Sequence, residues 1–272
     1  MIDIKEEIYV WLSIIDNLNY LIYLKLIKIF NSTINLYNIS RDKIKFQQYL
    51  KSNNLNLDES LINQFTNNNL KSKANKIYNY LNSNNVKIIP INSKYYPQQL
   101  KNIFLPPLCI YITGDISLIQ NKKIYVYENN NITKYANKIV EMLYSQILNK
   151  NKYLMLNRNF NIKSINLNNE LCDLKLDNGF NILYNSSKDN YIRDIEIKSG
   201  ILDLLIIPEA DYNKEISIFV DCFLELGKEI TVFPNEIFNK NAYFSNYLIK
   251  NGANILTNIY QMQDVLNNLS NI

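Results

Sequence analysis

A chain of 272 residues that is 47% hydrophobic and 20% charged excludes a disordered polymer, and five glycines with six prolines exclude a collagenous one. The 29 Lys and Arg against 25 Asp and Glu leave a net charge of +4, which permits an anionic partner without demanding one. At this length a chain buries roughly 70–75% of its unfolded surface, enough for a core in one or two domains.

There is no histidine, which excludes Ser-His-Asp and Cys-His catalysis and His-ligated metal. Cys109, Cys172 and Cys222 are scattered and odd in number, so they form neither a disulfide framework nor a CxxC site, and a reducing cytosol is expected. The opening MIDIKEEIYVWLSIID has no signal-peptide pattern, and no uncharged apolar stretch reaches the roughly 18 residues of a transmembrane helix. Asn runs such as Asn67–Asn69 and Asn129–Asn131 match the Ile, Lys, Leu and Tyr excess that A/T-rich codons produce.

Residues 1–85 read as helices. Ile8, Trp11, Leu12 and Ile15 fall at 3/4 spacing, and Leu21, Leu24, Leu26, Ile27 and Phe30 form a second stripe that Asn31-Ser32-Thr33 breaks. Further helices are expected over 42–51 and over 58–83, the latter opening on Asp58-Glu59-Ser60 as cap and acidic first turn. The block lacks Gly and Pro, so Asn and Ser must make its turns.

From residue 86 the pattern changes. Val86–Ile91 reads as a strand, and Pro106-Pro107 sets an extended approach to another that Gly114-Asp115 ends. Strand and helix then alternate. Strands are expected over 123–128, 153–157, 180–184, 202–208, 229–233 and 255–256. Helices are expected over 132–148, 167–176, 216–226, 246–251 and 259–269. Near-continuous apolar strands in this rhythm predict a parallel sheet covered on both faces, which places ligands at its carboxyl edge.

The usual nucleotide device, a glycine-rich turn after the first core strand, is missing. Glu128-Asn129-Asn130-Asn131 stands there, and neither GxGxxG nor GxxxxGK[ST] occurs. Glu209 and Asp211 end the LDLLIIP strand, where catalytic or Mg²⁺-binding acids often sit, but no second acidic cluster converges on them. They read as solvated loop acids.

Two blocks carry a resemblance. In 201–266, Asp203, Glu209, Ala210, Gly227, Lys228, Pro234, Asn246, Leu248, Ile249, Gly252 and Ala253 fall in the order seen in the DNA-processing protein A (DprA/Smf) family. In 86–115, Tyr96-Pro97, Leu100, Pro106-Pro107, Tyr111 and Gly114-Asp115 mirror the same family's leading segment. The chain thus resembles a divergent member of that family with degenerate phosphate-binding loops. The resemblance implies an α/β fold: a Rossmann-like parallel sheet with helices on both faces, preceded by a small all-helical domain. The domains would be 1–85, similar to SAM or helix-hairpin-helix modules, and a core over 86–272, with leading strands in 86–115 and the main sheet in 122–272.

It further implies a cytoplasmic, non-catalytic protein without cofactor or metal. Such a protein binds single-stranded DNA in DNA uptake and natural transformation, helps load the recombinase RecA and forms a homodimer. The family's Gly-Ser-Arg loop is replaced by Glu128-Asn129-Asn130, its second glycine loop by Leu156–Lys163, and its Arg/Asn-rich segment falls on Tyr191–Asp203. The basic and aromatic candidates left near strand ends are Arg158, Lys163, Tyr191, Arg193, Lys198 and Lys214. The alternatives are a scaffold of the same fold that no longer binds DNA, or a nucleotide-phosphate enzyme of a related core.

Overall fold

The structure, a computed structural model, describes residues 5–129, 131–148, 153–156, 162–165, 167, 180–186, 191–258 and 260–271. In chain order the helical block holds α1 (Glu6–Ser13), α2 (Tyr20–Phe30), α3 (Thr33–Ile39), α4 (Lys43–Ser52), α5 (Glu59–Phe65) and α6 (Asn68–Ser83). Then come β1 (Lys87–Pro90), β2 (Cys109–Thr113), β3 (Lys122–Val126), α7 (Lys134–Leu148), β4 (Tyr153–Leu156), β5 (Ile162–Ile165) and β6 (Asn181–Asn185). The chain closes with α8 (Tyr191–Ile201), β7 (Leu204–Ile207), α9 (Lys214–Glu225), β8 (Glu229–Val232), α10 (Tyr243–Lys250), β9 (Asn254–Ile255) and α11 (Gln261–Asn271). Among the described residues no helix is long and apolar enough to cross a membrane.

Two compact units result: residues 1–116 with 161–189, and residues 117–160 with 190–272. In the first, the helices share their unit with β1, β2, β5 and β6. Asparagine does the work that glycine usually does. Asn17, Asn31, Asn54 and Asn85 hold φ between +54° and +63°, and Asn19 and Asn67 cap α2 and α6 through their side-chain oxygens. Asn67 also explains why the helix expected over 58–83 is two. It accepts from Asn69 N and Leu70 N, while Thr66 Oγ1 donates back to Ile62 O at 2.9 Å, so α5 ends and α6 restarts.

Helix α1 is buried through five consecutive residues, Ile8 to Leu12, packed by α3, α6, β1 and β2. Trp11 sits edge-on to Tyr37 and Phe65, with ring centroids 5.1 and 5.6 Å away. The buried Lys71 lies over both the Trp11 and Tyr37 rings and donates to Ser40 Oγ at 2.9 Å; burial lowers its pKa to about 8. The sheet order is β1-β2-β6-β5, antiparallel except for the β5/β6 pair. Strand β6 was expected in the main sheet. A short continuous apolar run reads alike in either sheet, and here it pairs with β2 from Ile110↔Tyr184 to Thr113↔Asn181. The Tyr-Pro and Pro-Pro pairs meet in one bond: buried Tyr96 donates its hydroxyl to Pro107 O at 2.7 Å.

The second unit is the parallel sheet, ordered β4-β3-β7-β8-β9. Alternation along its strands separates two apolar layers. Ile124, Val126, Leu204 and Ile206 face α7 and α11. Tyr125, Tyr127, Leu205 and Ile207 face α8, α9 and α10. Helices thus cover both faces, as expected. Taking its strands in chain order, the sheet is doubly wound 2-1-3-4-5, and its winding reverses between β3 and β7. Apart from Leu167, the expected helix over 167–176 lies outside the described residues.

Candidate nucleic-acid interface

At a reversal point the two neighbouring connections leave in opposite directions and open a crevice at the carboxyl edge of the strands. Here the edge carries three connections: 127–133 after β3, 208–213 after β7 and 233–239 after β8.

Glu209 ties them together. Its side chain is only 1% exposed. Oε2 accepts from Thr133 Oγ1 at 2.7 Å, Asn239 Nδ2 at 3.0 Å and Asn235 Nδ2 at 3.1 Å, and Oε1 accepts from Thr133 N at 3.3 Å. A buried carboxylate is tolerated where donors saturate it, and four do so here. Donors free to meet an external anion in its absence are therefore spent on an internal one. The expectation of solvated loop acids is corrected on this point: Glu209 is buried, and one oxygen of Asp211 is turned inward without a hydrogen-bond partner among the described residues.

The other motif residues of 201–266 fix the same edge or its opposite. Ser245 Oγ accepts from Ala210 N at 2.8 Å, and Phe244 N donates to Ala210 O, which anchors the Pro-Glu-Ala turn on α10. Asn246 exchanges two bonds with the backbone of Asn235, after Pro234. Asn213 caps α9 by accepting from Ile216 N and donates to Tyr127 Oη at 3.0 Å. At the amino edge, Asp203 accepts from Lys123 N at 2.8 Å and lies 3.7 Å from Lys122 Nζ. Lys228 Nζ donates to the carbonyls of Ser199, Gly200 and Leu202, closing the end of α8. Burial pushes both Lys123 and Lys228 down to about 8. Gly227 and Gly252, at φ +64° and +93°, take the left-handed positions after α9 and α10.

The six residues expected from sequence distribute unevenly. Arg158 lies outside the described residues. Lys163 is on β5, in the first unit. The segment 191–201, aligned above with a binding loop, is helix α8. Because α8 runs into β7 and α9 runs out of it, the starts of both lie at the carboxyl edge. Tyr191, 44% exposed, and Arg193 sit at the start of α8, and exposed Lys214 is the first residue of α9. Lys198 falls in the last turn of α8, toward the other edge. Arg193 is also paired with Glu196 at 2.9 Å. The structure thus brings Tyr191, Arg193 and Lys214 to one end of the unit and leaves Lys198 apart.

Sequence reading missed the cleft beside Glu209. It has a volume of about 700 Å³ and is lined by Thr133, Lys134 and Tyr135 on one side and by Pro234, Glu236 and Phe238 on the other. Tyr135 Oη donates to Pro234 O at 2.9 Å, and burial raises its phenol above the ordinary range. Phe238 is 90% exposed. The one available signal was a lone Ile-Phe pair inside a polar loop, NEIFNKN.

A doubly wound parallel sheet covered by helices on both faces, with its carboxyl-edge loops tied by side-chain amides, defines a Rossmann-like α/β protein. Residues 87–155 match the family described as DNA recombination-mediator protein A. The DNA processing protein DprA of Bacillus subtilis (strain 168) is 36% identical over 66 residues, 24% of this chain and 22% of that protein. The match therefore spans less than a quarter of the relative's length. The crystal structure of DprA from Streptococcus pneumoniae aligns over 86% of this chain and 96% of its own, with a TM-score of 0.54 and 17% identity. A Helicobacter pylori DprA, studied for its single-stranded DNA binding mode, aligns over 66% of this chain and 95% of its own at 15% identity and a TM-score of 0.49. The sequence match to the DNA recombination-mediator protein A family lies in residues 87–155, about a quarter of the chain, and the motif block over 201–266 lies beyond that range.

Proposed function

We propose that this chain is a non-catalytic DNA-processing protein of the cytoplasm that binds single-stranded DNA during DNA uptake, acts as a homodimer and passes the strand to the recombinase RecA. The family match over 87–155 carries this reading. Three features support it. The carboxyl edge gathers Tyr191, Arg193 and Lys214, a stacking ring and two cations. Glu209, the acid best placed for chemistry, has its lone pairs occupied by structural donors, which suits a scaffold rather than a general base. Glu128, Asp211 and Glu236 share the edge with the cations, so phosphate attraction is modest and the affinity belongs in the roughly micromolar range of non-specific binding.

Fluorescence anisotropy with labelled oligo-dT at low salt tests the reading. Saturable binding, displaced by unlabelled single strands and poorly by duplex, is expected. No binding up to tens of micromolar, on the order of the weak end of non-specific affinity, would end it.

A further inference from the structure

We propose that the cleft between the start of α7 and the loop after β8 is a stacking site for one unpaired base, with Phe238 as the platform and Lys134 as the contact to the adjoining phosphate. This rests on the single-stranded DNA reading and names a subsite for it whose lining, among the described residues, includes none of Tyr191, Arg193, Lys198 and Lys214.

The loop after β8 is held on several sides. Asn235 and Asn239 donate to the buried Glu209, Asn246 brackets the backbone of Asn235, and Asn239 Oδ1 accepts from Asn241 N at 3.0 Å to start the next turn. A loop pinned in this way still presents Ile237 and Phe238 to water, at 83% and 90% exposure. Among the described residues no core cluster or ring pair includes Phe238, and its ring lines the cleft on a loop whose place is already fixed. Across the cleft, Tyr135 is held by its bond to Pro234 O, so the opposite wall is set as well. A volume of about 700 Å³ lies within the range of small-ligand sites and accommodates a nucleotide.

Charge decides between occupants. Exposed Lys134 opens α7 and makes no ion pair among the described residues, and the helix start adds positive potential there. Lys240 follows two residues after Phe238, against Glu236 as the one acid lining the cleft among the described residues. The amides of Asn235 and Asn239 are spent on Glu209, so what the cleft offers is an aromatic face and an ammonium. That pair matches a base with its phosphate, and it reads no base edge, so binding tolerates sequence.

The test uses the full chain, a fluorescein-labelled oligo-dT of about 20 nucleotides, and an abasic strand of the same length. Phe238→Ala is expected to weaken oligo-dT binding by about five- to a hundredfold, the usual effect of losing one stacked base. Phe238→Trp should restore it, and the abasic strand should bind the wild type and Phe238→Ala alike. Circular dichroism of the variants should match the wild type, because the ring is not part of the core. Unchanged oligo-dT affinity in Phe238→Ala, beside a wild type that binds, overturns the inference and leaves the DNA reading standing. A wild type that does not bind ends both. A dimer that Phe238→Ala converts to monomer in sedimentation assigns the face to a second copy and also overturns the inference.

Discussion

Replacing Glu209 should loosen three loops at once. Its four hydrogen bonds end on one carboxylate, and each bond to such a group is worth about 1.5–3 kcal/mol net when taken singly. They share one carboxylate, so they do not add in full, and each donor left unpaired away from water costs about 1–3 kcal/mol. Glu209→Ala is therefore expected to lose about 3–5 kcal/mol, since Asn235, Asn239 and Thr133 are left with part-buried donors and no acceptor. Glu209→Gln separates shape from charge. With its carbonyl in the place of Oε2 it keeps three donors satisfied and turns an NH₂ toward Thr133 N, so its loss should stop at about 1–2 kcal/mol. Urea unfolding followed by circular dichroism reads both numbers, and hydrogen exchange should place the added opening in 127–133, 208–213 and 233–239. A Glu209→Ala variant within about 1 kcal/mol of wild type, or one no worse than Glu209→Gln, would refute the reasoning.

Three further outcomes are expected. Lys228 has a folded pKa of about 8 against an unfolded value near 10.4, so between these values the unfolded chain holds the extra proton and stability from this residue rises with pH. The stability difference between wild type and Lys228→Met should thus grow from pH 8 to pH 10 in urea melts; a flat or falling difference contradicts the burial. Asn31, at φ +62°, should accept Gly with little change, whereas Asn31→Ala should cost about 1 kcal/mol by thermal melting. Lys214→Ala should weaken oligo-dT binding and flatten its log-log salt slope by about 0.7, one single-strand phosphate contact, while Lys198→Ala should leave both unchanged.

Much of the fold was legible because its signals are local. The apolar strands 202–208 and 229–233 can only be covered on both faces, and Asn31-Ser32-Thr33 had to break a helix. What was not legible depends on partners distant in sequence. Strand β6 carries no mark of which sheet it joins, and the split at Thr66-Asn67 turns on side-chain capping rather than on periodicity. The motif residues Glu209, Ala210, Lys228 and Asn246 turn out to serve the loops and helix ends, a role visible only once Thr133 and Asn239 are seen beside Glu209. Codon bias hid the asparagines in plain view. Several are caps or left-handed turns, and Asn235 and Asn239 hold the candidate site. Phe238 looks in sequence like any loop aromatic, because exposure is a property of the folded chain.

Ultraviolet crosslinking of oligo-dT to the full chain, with mapping of the modified peptides, tests the central claim most directly. Adducts on the carboxyl edge of the parallel sheet are expected, in 127–135, 191–193 and 234–247. Adducts confined to the amino edge around Lys122 and Lys228, or an absence of adducts under conditions that label a known single-strand binder, would contradict it.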